Sequence, residues 1–100
     1  MTAHRRAPKL SDDAVRAELA KLDGWDLEQG KLHRVYEFRD FRAAFGFMAS
    51  CALIAEAMDH HPEWLNVYRR VEVWLTTHSA GAVTELDVRL AREMDARADG

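Results

Sequence analysis

Residues 40–62 read DFRAAFGFMASCALIAEAMDHHP and carry a long helical pattern of apolar side chains. Asp40 is a suitable N-cap for this helix, and Pro62 ends it because a proline disfavours helical geometry at the residue before it. The apolar residues fall on two stripes, one of Phe41, Phe45, Met48, Ala52 and Ala55 and one of Phe47, Cys51, Ile54 and Met58. A helix that is apolar on two sides must bury both, so we expect one stripe to face a sheet of the same chain and the other a partner chain.

The segment before this helix predicts a first helix and a β-hairpin. Ser11 can cap a helix that Gly24 ends, with Leu10 and Val15 as a hydrophobic staple. The inward face of this helix is predicted to be Val15, Leu19 and Leu22. The following WDLEQGKLHRVYEF has apolar residues on both sides of a Gln-Gly turn, in period two except at Arg34, which is typical of a hairpin.

The segment after the long helix predicts a second hairpin and a third helix. The stretch WLNVYRRVEVWLTTH is rich in β-branched and aromatic residues and is long enough for two strands that turn near Arg69 and Arg70. Thr84 can cap a last helix with an inward face of Leu86, Leu90 and Met94. The predicted order is α-β-β-α-β-β-α. This order indicates an α+β fold, a four-stranded antiparallel sheet with three helices packed on one face.

The composition fits one domain over residues 1–100, with residues 1–9 as a flexible tail. Hydrophobic residues make up 48% and charged residues 31%, which excludes a disordered chain. A net charge of -3 argues against direct nucleic-acid binding. No apolar run approaches the roughly 20 residues of a membrane span. The single cysteine, Cys51, cannot form an intramolecular disulfide, so we expect a reduced thiol and a cytoplasmic protein.

The segment Asp59 to Trp64, DHHPEW, holds two adjacent histidines. Adjacent residues of an extended chain point to opposite sides, and one cysteine supplies no thiolate set, so a metal site is disfavoured. With His78 from the end of a strand, His60 and His61 offer imidazoles of pKa about 6.5, which suit proton transfer at neutral pH. Histidines at a helix C-terminus also often only satisfy the helix dipole. Spacing alone leaves an acid–base role and a structural role open.

The two histidines belong to a longer pattern, which runs through an acidic residue, His-His-Pro, an aromatic residue, a third histidine and an aspartate. Its places are filled by Glu56, His60, His61, Pro62, Tyr68, His78 and Asp87. With these residues, and with DFRAAFGFM, DHHPEWLNVY and LTTH, the chain resembles the pterin-4a-carbinolamine dehydratase family from roughly Trp25 to Met94. Animal members of this family are also known as a dimerisation cofactor of a homeodomain transcription factor.

The resemblance implies a dehydratase that converts 4a-hydroxytetrahydrobiopterin to quinonoid dihydropterin and water in tetrahydropterin recycling, with no metal or organic cofactor. It implies acid and base roles for His60 and His78, and substrate binding by His61. Other positions that match the pterin site are Asp59, Thr76, Thr77 and Ser79. The implied partners are the pterin and further copies of the chain, in a homodimer or homotetramer. A protein-interaction module or transcriptional coactivator without catalysis is the alternative.

Four residues near the pattern have roles that their positions suggest. Asp87 stands third after Thr84, so a capping box accounts for it without a catalytic duty. Glu56 is expected to orient a histidine from the helix surface. For Trp74, packing on the sheet is favoured over a contact in an oligomer. Regular alternation places His78 on the Trp74 face of its strand, so a bulge or the end of the strand must direct it toward His60.

Overall fold

Three helices and four strands follow one another in the predicted order in a computed structural model that describes residues 7–99. They are α1 Asp12–Leu19, β1 Asp26–Glu28, β2 Lys31–Glu37, α2 Phe41–Met58, β3 Glu63–Val67, β4 Arg70–Leu75 and α3 Glu85–Asp99. The strands form one antiparallel sheet in the order β1-β2-β4-β3, with the helices on one face, which confirms the predicted α+β fold. Residues 1–6 of the predicted flexible tail lie outside the described residues.

The core lies between the helices and the inward face of the sheet. Leu32 of β2 and Val71 and Val73 of β4 are fully buried there. The helices cover them with residues that include Val15 of α1, Phe47 and Ala55 of α2, and Leu90 and Met94 of α3. The predicted staple residue Leu10 packs against this cluster, while Leu86 of α3 is only partly buried. One apolar core therefore contains residues from all three helices.

The α2 helix begins at its predicted cap, because the Asp40 carboxylate accepts a hydrogen bond of 2.8 Å from the backbone N–H of Ala43. The residues that it buries are Ala44, Phe47, Cys51 and Ala55, with Met48, Ile54 and Met58 partly buried beside them. The predicted stripes were therefore drawn partly wrong: Ala55 belongs to the inward side, and neither stripe included Ala44. Burial raises the pKa of the Cys51 thiol to about 12, as expected of a reduced cysteine in an apolar core.

The outward side of α2 is apolar as well. Phe41, Phe45 and Leu53 are 49%, 56% and 74% exposed. Contrary to the expectation that no apolar run approaches a membrane span, this helix could cross a membrane by length and composition alone, since its 18 residues have a mean hydropathy of 1.4. One such helix is weak evidence, and Phe47 and Cys51 on its inward side are part of the protein core. The exposed side therefore remains a surface that needs an explanation.

Arg34 interrupts the apolar face of β2 because it belongs to a polar network beneath α3. The carboxylate of Asp95 accepts hydrogen bonds from Trp25 Nε1 at 3.0 Å and from an Arg34 nitrogen at 2.9 Å. It also accepts one from the hydroxyl of Tyr36, and burial together with this bond raises the pKa of that phenol far above its ordinary value. Arg34 therefore balances the charge of a half-buried carboxylate.

Local turns differ from the prediction in two places. The α1 helix ends at Leu19, and Gly24, with φ of +87°, lies in the turn that follows rather than at the end of the helix. The predicted Gln-Gly turn is confirmed, with positive φ at both Gln29 and Gly30. In the second hairpin Val67 pairs with Arg70, so the turn consists of Tyr68 and Arg69, and Arg70 begins β4.

Candidate active site

A cleft of about 250 Å³ opens where α2 ends, β3 begins and β4 ends. Its wall consists of Asp59, His60, His61, Pro62, Glu63, Thr76 and His78. All but one of these residues were predicted from the sequence, and the exception is Glu63. A larger groove of about 390 Å³ beside α1 shares Thr76 with the cleft, and none of the described residues that line it is a histidine. The predicted chemistry therefore lies in the smaller of the two spaces.

The end of α2 places His60. Asp59 adopts the left-handed conformation, with φ of 52° and ψ of 44°, which an aspartate tolerates better than most residues. This turn lets the backbone N–H of His60 reach the carbonyl of Ala55 at 3.0 Å, as in a Schellman motif. The side chain is thereby carried back under the helix, where only 4% of His60 is exposed.

A buried carboxylate holds the His60 ring. His60 Nε2 lies 2.6 Å from Asp87 Oδ1, and Asp87 is fully buried. The other oxygen, Asp87 Oδ2, accepts hydrogen bonds from the Thr77 hydroxyl at 2.8 Å and from the Thr84 backbone N–H at 2.9 Å. Thr84 Oγ1 in turn accepts one from the backbone N–H of Leu86 at 3.2 Å. The predicted capping box is present, and the same carboxylate also contacts a histidine of the cleft.

His61 faces outward beside its partner from α2. Its Nε2 lies 2.8 Å from Glu56 Oε1, and both side chains are exposed. This contact matches the expectation that Glu56 orients a histidine. The two adjacent imidazoles therefore engage different carboxylates, one inside the protein and one on its surface.

His78 stands on the turn that follows β4. That strand ends at Leu75, so alternation along it no longer sets the direction of the ring. Backbone bonds from Ala80 to Thr77 and from Gly81 to His78 close the turn, at 3.0 Å and 3.1 Å. The side chain is 80% exposed, and its Nε2 lies 3.1 Å from Glu63 Oε2. The end of the strand therefore resolves how His78 shares a cleft with His60.

Glu63 is the wall residue that sequence reasoning missed. Its Oε1 accepts a hydrogen bond of 2.7 Å from Lys31 Nζ, while its Oε2 contacts His78. The bond from Lys31, and then the one from His78, hold the pKa of this carboxyl below its ordinary value. The available signal was position: Glu63 directly follows His-His-Pro and starts an extended strand, opposite Trp74 of β4.

Three other residues of the predicted site or its sequence pattern lie off the wall of the cleft. Thr77 is fully buried, and its hydroxyl bonds to Thr84 Oγ1 at 2.8 Å as well as to Asp87, so it lies behind His60. Ser79 is exposed on the turn after His78. Tyr68, the aromatic residue of the pattern, lies in the turn of the second hairpin and is also exposed.

The chemistry that this site supports is proton transfer. A carboxylate beside an imidazole nitrogen keeps that nitrogen protonated and fixes the orientation of the ring. His60 and His78 each have such a partner, in Asp87 and Glu63. Fold and site thus define a small α+β protein with a histidine–carboxylate cleft at one end of its sheet.

Comparison with known proteins extends this description to a family. The model of the family described as "Pterin 4 alpha carbinolamine dehydratase" matches residues 8–97, and the chain belongs to this family. It is 56% identical over 92 residues to a Nitrobacter hamburgensis protein named "Putative pterin-4-alpha-carbinolamine dehydratase", covering 90% of this chain and 91% of the other. A protein of the same name from Solibacter usitatus is 52% identical over 92 residues, covering 92% of this chain and 97% of the other.

A solved structure agrees with the family assignment. The crystal structure of a "transcriptional coactivator/pterin dehydratase" from Brucella melitensis superposes with a TM-score of 0.87 at 50% sequence identity. The match covers 90% of this chain and 98% of that one. Similarity at this level extends over the whole α+β fold and includes the segments that form the cleft.

Proposed function

We propose that the chain dehydrates a 4a-hydroxytetrahydropterin, such as 4a-hydroxytetrahydrobiopterin, to quinonoid dihydropterin and water, as a step of tetrahydropterin recycling. The observation that carries the proposal is the pair of carboxylate-supported imidazoles, His60 with Asp87 and His78 with Glu63, on one cleft. Membership of the pterin-4α-carbinolamine dehydratase family supports the same substrate class.

The reaction needs one proton donor and one proton acceptor on the same substrate. The bond between C4a and the hydroxyl oxygen breaks, and the hydroxyl takes a proton and leaves as water. N5 loses its proton, and the electron pair of that N–H bond forms the double bond between N5 and C4a. No electrons are exchanged with another molecule. One imidazole gives a proton to the leaving hydroxyl, and the other takes the proton that N5 loses. Exchange with solvent then restores the starting charge of each ring.

The surroundings of the two imidazoles suit these roles. Asp87 lies 2.6 Å from Nε2 of His60 and fixes the orientation of this ring at the wall of the cleft. Glu63 positions His78, which the turn leaves exposed at the mouth of the cleft. Proton transfer requires the ring and the reacting atom within hydrogen-bonding reach, and these carboxylates restrict both rings.

Substrate binding is assigned to the remaining wall. His61, which Glu56 orients at the surface, contacts the pterin without taking part in proton transfer. Asp59 and Thr76 line the cleft and offer a carboxylate and a hydroxyl to the polar edge of the ring, with Ser79 on the adjoining turn. Pro62 keeps the chain extended between His61 and β3.

The test is a dehydration assay on 4a-hydroxytetrahydrobiopterin generated in place, compared with the uncatalysed rate. We expect acceleration by the wild-type protein, and unchanged acceleration after exhaustive treatment with a chelator, because neutral imidazoles need no metal ion to move protons. A folded wild-type protein that gives no acceleration contradicts the proposed function. If the chelator abolishes activity and added zinc restores it, the metal-independent chemistry is contradicted.

A second copy of the chain is proposed to cover the outward side of α2. Phe41, Phe45 and Leu53 are exposed there, and residues 43–55 of the helix contain no charged side chain. An apolar helix face without charges is complementary to itself, which favours two-fold association. The name of the Brucella melitensis structure includes a coactivator, and this face of α2 is also the surface that a different protein partner would use.

A further inference from the structure

One histidine and three carboxylates meet on the open face of the sheet, which the helices do not cover. Asp26 and Glu28 come from β1, His33 from β2 and Glu72 from β4. The strand register brings them together, because Asp26 pairs with His33 and Glu72 pairs with Val35, two residues along β2 from His33. The His33 side chain is only 12% exposed, since the ring of Trp74 packs beside it at 5.6 Å between centroids.

Three donor atoms of this group converge. His33 Nε2 lies 2.7 Å from Glu72 Oε2 and 3.9 Å from Glu28 Oε1, and donor atoms of all three residues lie within 4.8 Å of one another. Tetrahedral zinc binds nitrogen and oxygen at about 2.0–2.2 Å, which sets its ligands roughly 3.3 Å apart. The distances of 2.7 Å and 3.9 Å from His33 Nε2 fall on either side of this ligand separation, so rotations of side chains suffice to form the site.

Neighbouring groups already orient the donors. Asp26 Oδ1 lies 2.8 Å from His33 Nδ1 and thereby turns Nε2 toward Glu28 and Glu72. A carboxylate on the second nitrogen is the usual support of a metal-binding histidine. Trp74 Nε1 donates a hydrogen bond of 2.6 Å to Glu28 Oε1. Arg70 contacts Oε1 of Glu72 at 3.3 Å, while Oε2 faces the histidine.

The charges of the group match a divalent cation. With a neutral imidazole, the carboxylates of Asp26, Glu28 and Glu72 and the guanidinium of Arg70 leave a charge of about -2, by formal charges at neutral pH. A proton on His33 offsets half of this charge, and a doubly charged ion offsets all of it. Imidazole and carboxylate together favour a transition-metal ion over Ca²⁺ or Mg²⁺.

We propose that Glu28, His33 and Glu72 bind a divalent transition-metal ion of the Zn²⁺ type on the open face of the sheet. Asp26 orients the histidine, and a water molecule takes the fourth position. The site is separate from the histidine cleft, since neither Glu28, His33 nor Glu72 lines that cleft. The proposal does not depend on dehydratase activity.

The experiment titrates untagged, chelator-stripped protein with Zn²⁺ by calorimetry and with Co²⁺ by visible absorption. We expect one saturable site per chain and the visible bands of tetrahedral Co²⁺. The variant His33→Gln should abolish both signals, and Asp26→Asn should weaken binding by about 10- to 100-fold, the usual effect of losing a supporting carboxylate. Circular dichroism of each variant confirms that it is folded.

Two results overturn the proposal. In the first, the wild-type protein shows no saturable binding, and the group is then an imidazolium ion paired with carboxylates. In the second, binding persists in His33→Gln but disappears in the matched control His61→Gln or in His78→Gln, which places the ion in the cleft. The Co²⁺ spectrum separates these cases from loose binding to surface carboxylates, because such binding leaves cobalt six-coordinate with weak bands.

Discussion

The two carboxylate oxygens of Asp87 have different partners: Oδ1 contacts His60, whereas Oδ2 accepts the Thr84 backbone N–H and the Thr77 hydroxyl. The contact of Oδ1 belongs to the cleft, whereas the contacts of Oδ2 belong to the start of α3. A substitution can remove one function without the other, because asparagine keeps a carbonyl oxygen for the cap but loses the charge beside the imidazole.

We expect Asp87→Asn to lower turnover strongly, by about 10²-fold, because a neutral amide holds the ring of His60 less firmly than a carboxylate does. Asp87→Ala should cost about 3 kcal/mol of unfolding free energy as well, since the fully buried Thr77 and Thr84 lose an acceptor. Urea denaturation and the dehydration assay measure the two effects. Equal stability losses in both variants would show that charge, rather than capping, is what α3 needs.

Alanine variants of the three histidines should differ in which kinetic constant they change. His60→Ala and His78→Ala should each lower kcat by about 10² or more, because a positioned acid or base contributes that much. His61→Ala should mainly raise KM, since its proposed contact is a binding contact. Near wild-type kcat in both folded variants, His60→Ala and His78→Ala, contradicts the acid–base assignment.

Glu63 is expected to act through His78. Glu63→Gln keeps the size of the side chain but removes the negative charge that lies 3.1 Å from the imidazole. Because the carboxylate orients the imidazole, Glu63→Gln should lower kcat while KM changes little. Lys31→Met is the matched control, because it removes the other partner of Glu63 and leaves the carboxylate beside His78. A kcat at the wild-type level in folded Glu63→Gln contradicts the positioning role.

At the scale of the elements, the sheet has a pH-dependent contact between its strands. Burial lowers the pKa of His33, but hydrogen bonds to Glu72 and Asp26 outweigh burial and leave the pKa above its ordinary value of 6.5. The contact with His33 also lowers the pKa of Glu72. Because the pKa of His33 is raised in the folded state, its contacts with the carboxylates stabilise the fold fully below pH 6.5. This stabilisation is lost as the pH rises through the folded-state pKa of His33.

We therefore expect His33→Gln to destabilise the protein more at pH 6 than at pH 9. Denaturation in the presence of a chelator, at several pH values, measures the difference in unfolding free energy from wild type. The difference should shrink as the pH rises, and below the ordinary carboxyl value of 4.5 it should shrink again as Glu72 takes up its proton. A difference in unfolding free energy that grows as the pH rises contradicts a raised pKa of His33.

Elements whose signals are local could be predicted from the sequence. Ser11 and Asp40 cap their helices by accepting a nearby N–H, and Thr84 does so in a capping box, so a few consecutive residues suffice to locate each start. The Gln-Gly turn is local in the same way. The order and class of the fold followed from these signals and from hydrophobic period.

Features that depend on tertiary contacts could not be predicted. The inward side of α2 is set by its packing against β4 and α3, which a helical pattern with two apolar stripes does not specify. The place of Arg34 in the apolar face of β2 depends on its hydrogen bond to Asp95, 61 residues away. The place of Glu63 at the cleft depends in the same way on Lys31, 32 residues away. The histidines of the cleft were identified from their resemblance to a family pattern, whereas the second role of Asp87 emerged only from the geometry.

At the scale of the whole molecule, two regions of exposed apolar side chains stand out among residues 7–99. One is the outward side of α2, and the other lies on the edge strand β3 and its turn, where Leu65, Val67 and Tyr68 are exposed. Soluble monomers seldom expose several large apolar side chains together. The proposed two-fold association through α2 would cover the first region, and pairing of sheet edges is available to the second.

Light scattering at micromolar concentration should give a mass of at least twice the 11.4 kDa of one chain. Leu53→Glu should convert the protein to a smaller species, because it places a charge on the α2 face where 74% of the leucine is exposed. Val67→Glu, on the edge strand, is the matched control. A monomeric wild type contradicts the oligomer, and dissociation by Val67→Glu alone assigns the contact to the sheet edge.

The geometry of the cleft depends on the length of α2, because the left-handed residue Asp59 at the end of that helix directs the chain into the cleft. His60 follows Asp59 directly, and each residue of an α-helix turns the chain by about 100°. One residue inserted between Asp40 and Asp59 would therefore rotate the imidazole away from Asp87, even though the inserted helix folds well. Such an insertion should lower the proposed activity even in a protein that folds. The cleft thus depends on the number of residues in α2 as well as on its own side chains.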